Sequence, residues 1–173
     1  GDKDYSISPD GKEVVFTMNK DDMLSISTNN DIFIVKLDDK EFKHHKISIS
    51  KGNDNQPVYS PDGKYIAFRS MARAGFEADK QDLILYDVKG NKLINVTSKL
   101  DESIGEMFWS NDSRYIYYTA DKQVNKNIYR FDTEYNKHET VLEGKINAHI
   151  LVSKSGLNLY FKTMKSTLHY EIF

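Results

Sequence analysis

Apolar residues in this chain come in short runs of four or five, each opened by a polar turn. Glu13-Val14-Val15-Phe16, Tyr65-Ile66-Ala67-Phe68, Tyr115-Ile116-Tyr117-Tyr118 and Leu157-Asn158-Leu159-Tyr160-Phe161 are rich in β-branched and aromatic residues and too short for helices. Before them stand Ser8-Pro9-Asp10-Gly11, Ser60-Pro61-Asp62-Gly63, the weaker Ser110-Asn111-Asp112-Ser113 and the degenerate Ser153-Lys154-Ser155-Gly156. The leading serines recur at intervals of 52, 50 and 43 residues. Proline presets φ, Asp tolerates the third turn position and Gly supplies a positive φ, so each motif predicts a tight hairpin.

Further strands follow the same period. An extended run precedes each turn: Asp4 to Ile7, Gln56 to Tyr59, Glu106 to Trp109, Ala148 to Val152. A third strand comes later, at Asp31 to Val35, Asp82 to Asp87, Asn127 to Asp132 and Leu168 to Phe173. A fourth closes three of the units, at His45 to Ile49, Lys92 to Thr97 and His138 to Leu142. Four strands per unit at a period of roughly 40 to 50 residues predict the blades of a β-propeller. The expected fold is all-β, a β-propeller fragment of about four four-stranded blades with WD-like repeats. Its blades cover approximately 4–50, 55–98, 105–143 and an incomplete 147–173. Leu83 and Leu85 alternate with Ile84 and Tyr86, so both faces of that strand are apolar, as a sheet between two others requires. A β-sandwich also has short strands, but its strands do not repeat in sequence.

Composition narrows the function classes. The 173 residues are 39% hydrophobic and 29% charged, enough for a packed core. Lys and Arg (24) nearly balance Asp and Glu (26), and the signs are interspersed, so no basic stripe points to nucleic acid and no polybasic anchor to a membrane surface. Without cysteine there is no disulfide, zinc–thiolate or thiol chemistry. A chain that opens on Gly1 rather than Met is expected to be a piece of a longer protein. An incomplete fourth blade leaves a strand edge, and self-association through exposed blade edges is the corresponding expectation.

The stretch Pro57-Val58-Tyr59-Ser60-Pro61-Asp62-Gly63-Lys64-Tyr65-Ile66-Ala67-Phe68 resembles the propeller repeat of the prolyl oligopeptidase family of serine peptidases, and also that of the periplasmic Tol-system propeller. The segment Arg69-Ser70-Met71-Ala72-Arg73-Ala74-Gly75-Phe76-Glu77-Ala78-Asp79-Lys80 then resembles an insertion of the dipeptidyl and acylaminoacyl peptidases of the first family. That resemblance implies a propeller that caps an α/β-hydrolase domain and restricts access to peptides. The Gly-x-Ser-x-Gly elbow that exposes such a nucleophile does not occur in the sequence. No catalytic residue is therefore assigned, and this chain alone is expected to hydrolyse nothing. Both resemblances admit periplasm and cytoplasm.

The insertion holds the candidate substrate-binding residues Arg69, Arg73, Phe76 and Glu77. In one reading Glu77 pairs with the free N-terminal amine of a peptide through a charge-assisted hydrogen bond. In the other, the loop is internally braced, with Arg73 holding Glu77 and Phe76 plugging the blade edge. No cofactor or metal is expected. His44 and His45 point to opposite faces of a strand, and His138, His149 and His169 lack ligand spacing. Asp21-Asp22 and Asp38-Asp39 read as solvated turns, and Trp109 as an aromatic packed between blades.

Overall fold

The computed structural model describes residues 4–21, 28–153, 155, 158–164, 171 and 172. Within them lie fifteen β-strands and no helix. The chain forms two compact units, residues 1–101 and 102–173.

The first unit holds two four-stranded antiparallel meanders. One is β1 (Tyr5–Ile7), β2 (Glu13–Asn19), β3 (Asn30–Lys36) and β4 (His44–Lys46). The other is β5 (Asp54–Tyr59), β6 (Tyr65–Ser70), β7 (Asp82–Asp87) and β8 (Lys92–Asn95). Alternation gives each central strand two apolar faces. Val15, Ile32 and Ile34 of the first sheet pack against Tyr59, Ile66, Phe68 and Tyr86 of the second, and Ile47 joins them. On the other face of the first sheet Phe16, Phe33 and His44 form a ring cluster. His44 is thereby a packing residue.

The second unit contains β9 (Ile104–Trp109), β10 (Tyr115–Lys122), β11 (Asn125–Asp132), β12 (Lys137–Leu142), β13 (Ile146–Val152), β14 (Leu159–Met164) and β15 (Glu171–Ile172). β9 to β12 form the next meander, and one parallel pairing of β11 with β13 joins it to β13–β15. Trp109 ends β9 and is buried. Tyr118 is fully buried, and its hydroxyl meets His138 Nδ1 at 2.8 Å. The expected strand at Leu168 to Phe173 is described only at Glu171–Ile172; its other residues, with Asp22, Lys154, Gly156, Leu157 and His169, lie outside the described residues.

The turns are built alike in both units. Ser60 Oγ donates to Asp62 Oδ1 at 2.6 Å and accepts the Tyr65 N–H at 2.9 Å, while Asp62 accepts the Lys64 N–H at 3.0 Å. Ser8 and Asp10 repeat this around Glu13. Gly63 closes its turn at φ 73°, a region where a Cβ is strained. In the third copy Ser113 adopts φ 63° in the glycine's place, and Ser110 and Asp112 keep the bonding. The turn therefore depends on the Ser-x-Asp hydrogen bonds more than on Pro or Gly.

Two further repeats tie the sheets. Ser48 Oγ accepts the Ile32 N–H at 3.1 Å and donates to Asp31 Oδ1 at 3.0 Å; Thr97 Oγ1 accepts the Leu83 N–H at 2.9 Å and donates to Asp82 Oδ1 at 2.9 Å. The first strands β5, β9 and β13 each carry one extra residue, a β-bulge. Within the first unit Asp4 Oδ1 accepts the bulge N–H of Gln56 at 3.4 Å. Within the second, Glu106 Oε2 accepts that of His149 at 2.7 Å.

Candidate functional site

The segment between β6 and β7 leaves the blade pattern after Ser70 and re-enters at Asp82. Its first leg is fixed by close backbone approach. The Met71 N–H donates to the Asn53 carbonyl at 3.1 Å. Gly52 lies so near that a Cβ there would sit 2.5 Å from the Met71 carbonyl oxygen. Met71 itself is buried. Its second leg is pinned by Lys80, whose ammonium pairs with Asp82 at 2.8 Å and donates to the Leu100 carbonyl at 2.6 Å.

The tip is held by a clamp. Arg73 Nη2 meets Asp79 Oδ1 at 2.9 Å and Arg73 Nε meets Oδ2 at 3.3 Å, a bidentate pairing of fork and carboxylate. The Arg73 N–H adds a third bond, to Asp79 Oδ2 at 3.0 Å. The guanidinium also lies over the Phe76 ring, 4.3 Å from its centroid. The hydrogen bonds from Arg73 hold the Asp79 carboxyl below the usual carboxylate range. Gly75 donates its N–H to Thr28 Oγ1 at 3.2 Å, joining the tip to the long β2–β3 connection of the neighbouring sheet.

Of the four candidates from sequence, the structure brings two together and separates two. Arg73 and Phe76 stack at the tip, where Arg73 also pairs with Asp79. Phe76 is 55% exposed beneath the guanidinium and plugs no edge. Arg69 stays at the root, its Nε donating to Asn55 Oδ1 at 2.9 Å. Glu77 is exposed, and neither an ion pair nor a hydrogen bond engages it among the described residues. The internal brace therefore uses Asp79 in the place expected for Glu77, because the carboxylate six residues on closes the turn onto the guanidinium. Thr28, Gly52 and Asn55 had no signal in a single sequence, since each acts through a tertiary contact.

At the opposite end of the first unit's blades a cleft of about 400 Å³ is lined by residues of both Ser-Pro-Asp-Gly turns. Asp10, Glu13, Lys36, Asp38 and Asp62 line it, and Tyr59 donates to Glu13 Oε2 at 3.3 Å. Burial, then the negative charge of Glu13, pushes the Tyr59 hydroxyl well above its ordinary value. No group of three or more His, Cys, Asp or Glu is placed to hold a metal among the described residues.

No family model matches the chain. It is, however, 35% identical over 140 residues to dipeptidyl-peptidase 5 of Porphyromonas gingivalis, a match that covers 79% of this chain and 20% of that protein. This is propeller sequence of the prolyl oligopeptidase family. The chain thus spans about a fifth of the length of the curated relatives it matches. Solved structures agree on the fold. Pyrococcus horikoshii acylaminoacyl peptidase superposes with a TM-score of 0.71 at 16% identity, over 94% of this chain and 24% of that one. TolB of Acinetobacter baumannii superposes with a TM-score of 0.70 at 19% identity, over 95% of this chain and 38% of that one. The meanders are thus propeller blades, and the Arg73–Asp79 clamp lies in the segment that joins β6 to β7.

Proposed function

We propose that this chain is the non-catalytic propeller portion of a serine peptidase of the dipeptidyl or acylaminoacyl type, gating and helping to bind peptides for an α/β-hydrolase domain. The insertion after β6 presents Glu77 to the free N-terminal amine of the substrate. The observation that carries this reading is the division of labour on the loop. Asp79 satisfies Arg73, and Glu77 is left exposed, with no ion-pair partner among the described residues. A carboxylate held on a braced loop is pre-organised for an ammonium group, and binding then costs little ordering entropy. Arg69 and Arg73 act as supports for that carboxylate and make no contact with the peptide.

The test is kinetic and uses the natural full-length enzyme. Glu77→Gln should raise KM for peptides with a free amine by about ten- to a hundredfold, the worth of one hydrogen bond to a charged group. It should leave kcat and the cleavage of amine-blocked peptides unchanged. Equal KM values for the free-amine peptides in the two enzymes contradict the reading. A second reading, a propeller that binds protein partners, is favoured by the TolB superposition over 95% of the chain. A natural polypeptide that lacks a hydrolase domain would select it.

A further inference from the structure

Residues 52–55 are the platform on which the loop stands. Gly52 abuts the Met71 and Arg73 carbonyls, and Asn53 accepts the Met71 N–H. Asp54 pairs with Ser70 in the β5–β6 ladder, and Asn55 accepts from Arg69. Asp54, in the middle of the platform, is fully buried. Its Oδ2 accepts the Ser50 hydroxyl at 2.9 Å, and its Oδ1 has no hydrogen-bond partner among the described residues.

Among the described residues no ion pair engages Asp54. On β3 stands Asp31, itself buried, and the ammonium of Lys46 on β4 is 2.6 Å from the Asp31 carboxylate. Ser48 donates to Asp31 as well. On β6 the Arg69 Nε is turned to Asn55. The Asp31 carboxylate thus has the half-exposed Lys46 ammonium as its partner, and the fully buried Asp54 has no ion pair among the described residues. Burying a carboxylate away from water with a like charge nearby is costly even where serine hydroxyls donate to it, and holding a proton relieves both penalties.

We propose that Asp54 is a proton-operated anchor for the loop: its neutral form keeps residues 52–55 seated against residues 69–73, and its ionisation beside Asp31 releases them. Burial pushes the Asp54 carboxyl above its ordinary value, the Asp31 charge adds to this, and the Ser70, Ser50 and Ser48 hydroxyls pull the other way. The docked loop thus binds the proton more tightly than the released loop. Docking is fully present below the ordinary carboxylate value and is lost as pH rises through the raised one. The consequence for substrate capture rests on the amine-binding reading above; the anchor itself does not.

The test follows the full 173-residue chain by NMR across pH. The Asp54 carboxyl carbon should titrate above the ordinary aspartate range. Across that titration the exchange protection of the Met71 and Gly75 amides, corrected for intrinsic rates, should fall by up to about tenfold per pH unit, the slope of a single linked proton. Asp54→Asn should hold protection constant over the same window. An Asp54 carbon that titrates within or below the ordinary range overturns the proposal, and so does an Asp54→Asn chain with the wild-type slope. Should that variant not fold, the wild-type titration decides alone. Neither readout involves a peptide, and Glu77→Gln should leave both unchanged, so failure here and failure of the amine-binding reading are told apart.

Discussion

Thr97→Val tests the polar repeat that ties the outer strand of a blade to its neighbour. Thr97 is fully buried, and valine copies its shape while removing one hydroxyl. That hydroxyl accepts the buried Leu83 N–H and donates to Asp82. Asp82 keeps two other partners, Lys80 and Asn95, so its loss is small. The Leu83 N–H keeps none that replaces Thr97, and an orphaned buried donor costs about 1–3 kcal/mol. Adding about 1 kcal/mol for the hydroxyl–carboxylate bond, and subtracting part of that for the methyl gained, leaves a loss of about 2–3 kcal/mol. At roughly 2–4 °C per kcal/mol for a chain of this size, Tm should fall by about 4–12 °C. Thr97→Ser is the control: it keeps the hydroxyl and loses a methyl, at about 1 kcal/mol. Urea unfolding measures both. If Thr97→Val lies within about 0.5 kcal/mol of wild type, or matches Thr97→Ser, the hydroxyl does not hold the strands and the reasoning fails.

Gly63→Ala should cost about 1–2 kcal/mol, because alanine is strained at φ 73°; an unchanged urea midpoint would show that the turn relaxes freely. Gly52→Ala places a Cβ 2.5 Å from the Met71 carbonyl oxygen, so overpacking of about 1–3 kcal/mol and lost protection at the Met71 amide are expected by urea unfolding and hydrogen exchange. Asp79 is held below the usual carboxylate range by Arg73, so the clamp's contribution is complete above the ordinary value and is lost as pH falls through the depressed one. Asp79→Asn should abolish that acid-side loss of protection at the Arg73 amide without moving the global Tm, and a retained acid transition would refute it. Exposed blade edges predict a mass that grows with concentration in light scattering; a monodisperse monomer at high concentration contradicts it.

Much of the fold was legible because a propeller repeats. Ser60-Pro61-Asp62-Gly63 announced a hairpin, and β6 and β7 stand where the apolar runs of Tyr65 and Asp82 put them. Boundaries moved outward where tertiary pairing extended a strand, as in β10, which continues past Tyr118 to Lys122 against β11. The bulges were hidden, since an extra residue in β5 or β13 changes register and leaves composition alone. So was the Asp31–Ser48 and Asp82–Thr97 repeat, whose partners lie 17 and 15 residues apart in common residue types. At the candidate site, departure from the blade period was enough to find the loop. Which acid Arg73 would take was not, because Glu77 and Asp79 differ only in how the turn presents them.

The central claim is that these blades serve a serine peptidase, and the natural polypeptide containing this chain tests it most directly. It should carry a hydrolase domain with a Gly-x-Ser-x-Gly elbow, and a serine-directed fluorophosphonate should label that serine and stop the release of dipeptides or acyl-amino acids from peptides. A natural polypeptide with no such domain, or one that neither reacts with the probe nor cleaves peptides, contradicts the account.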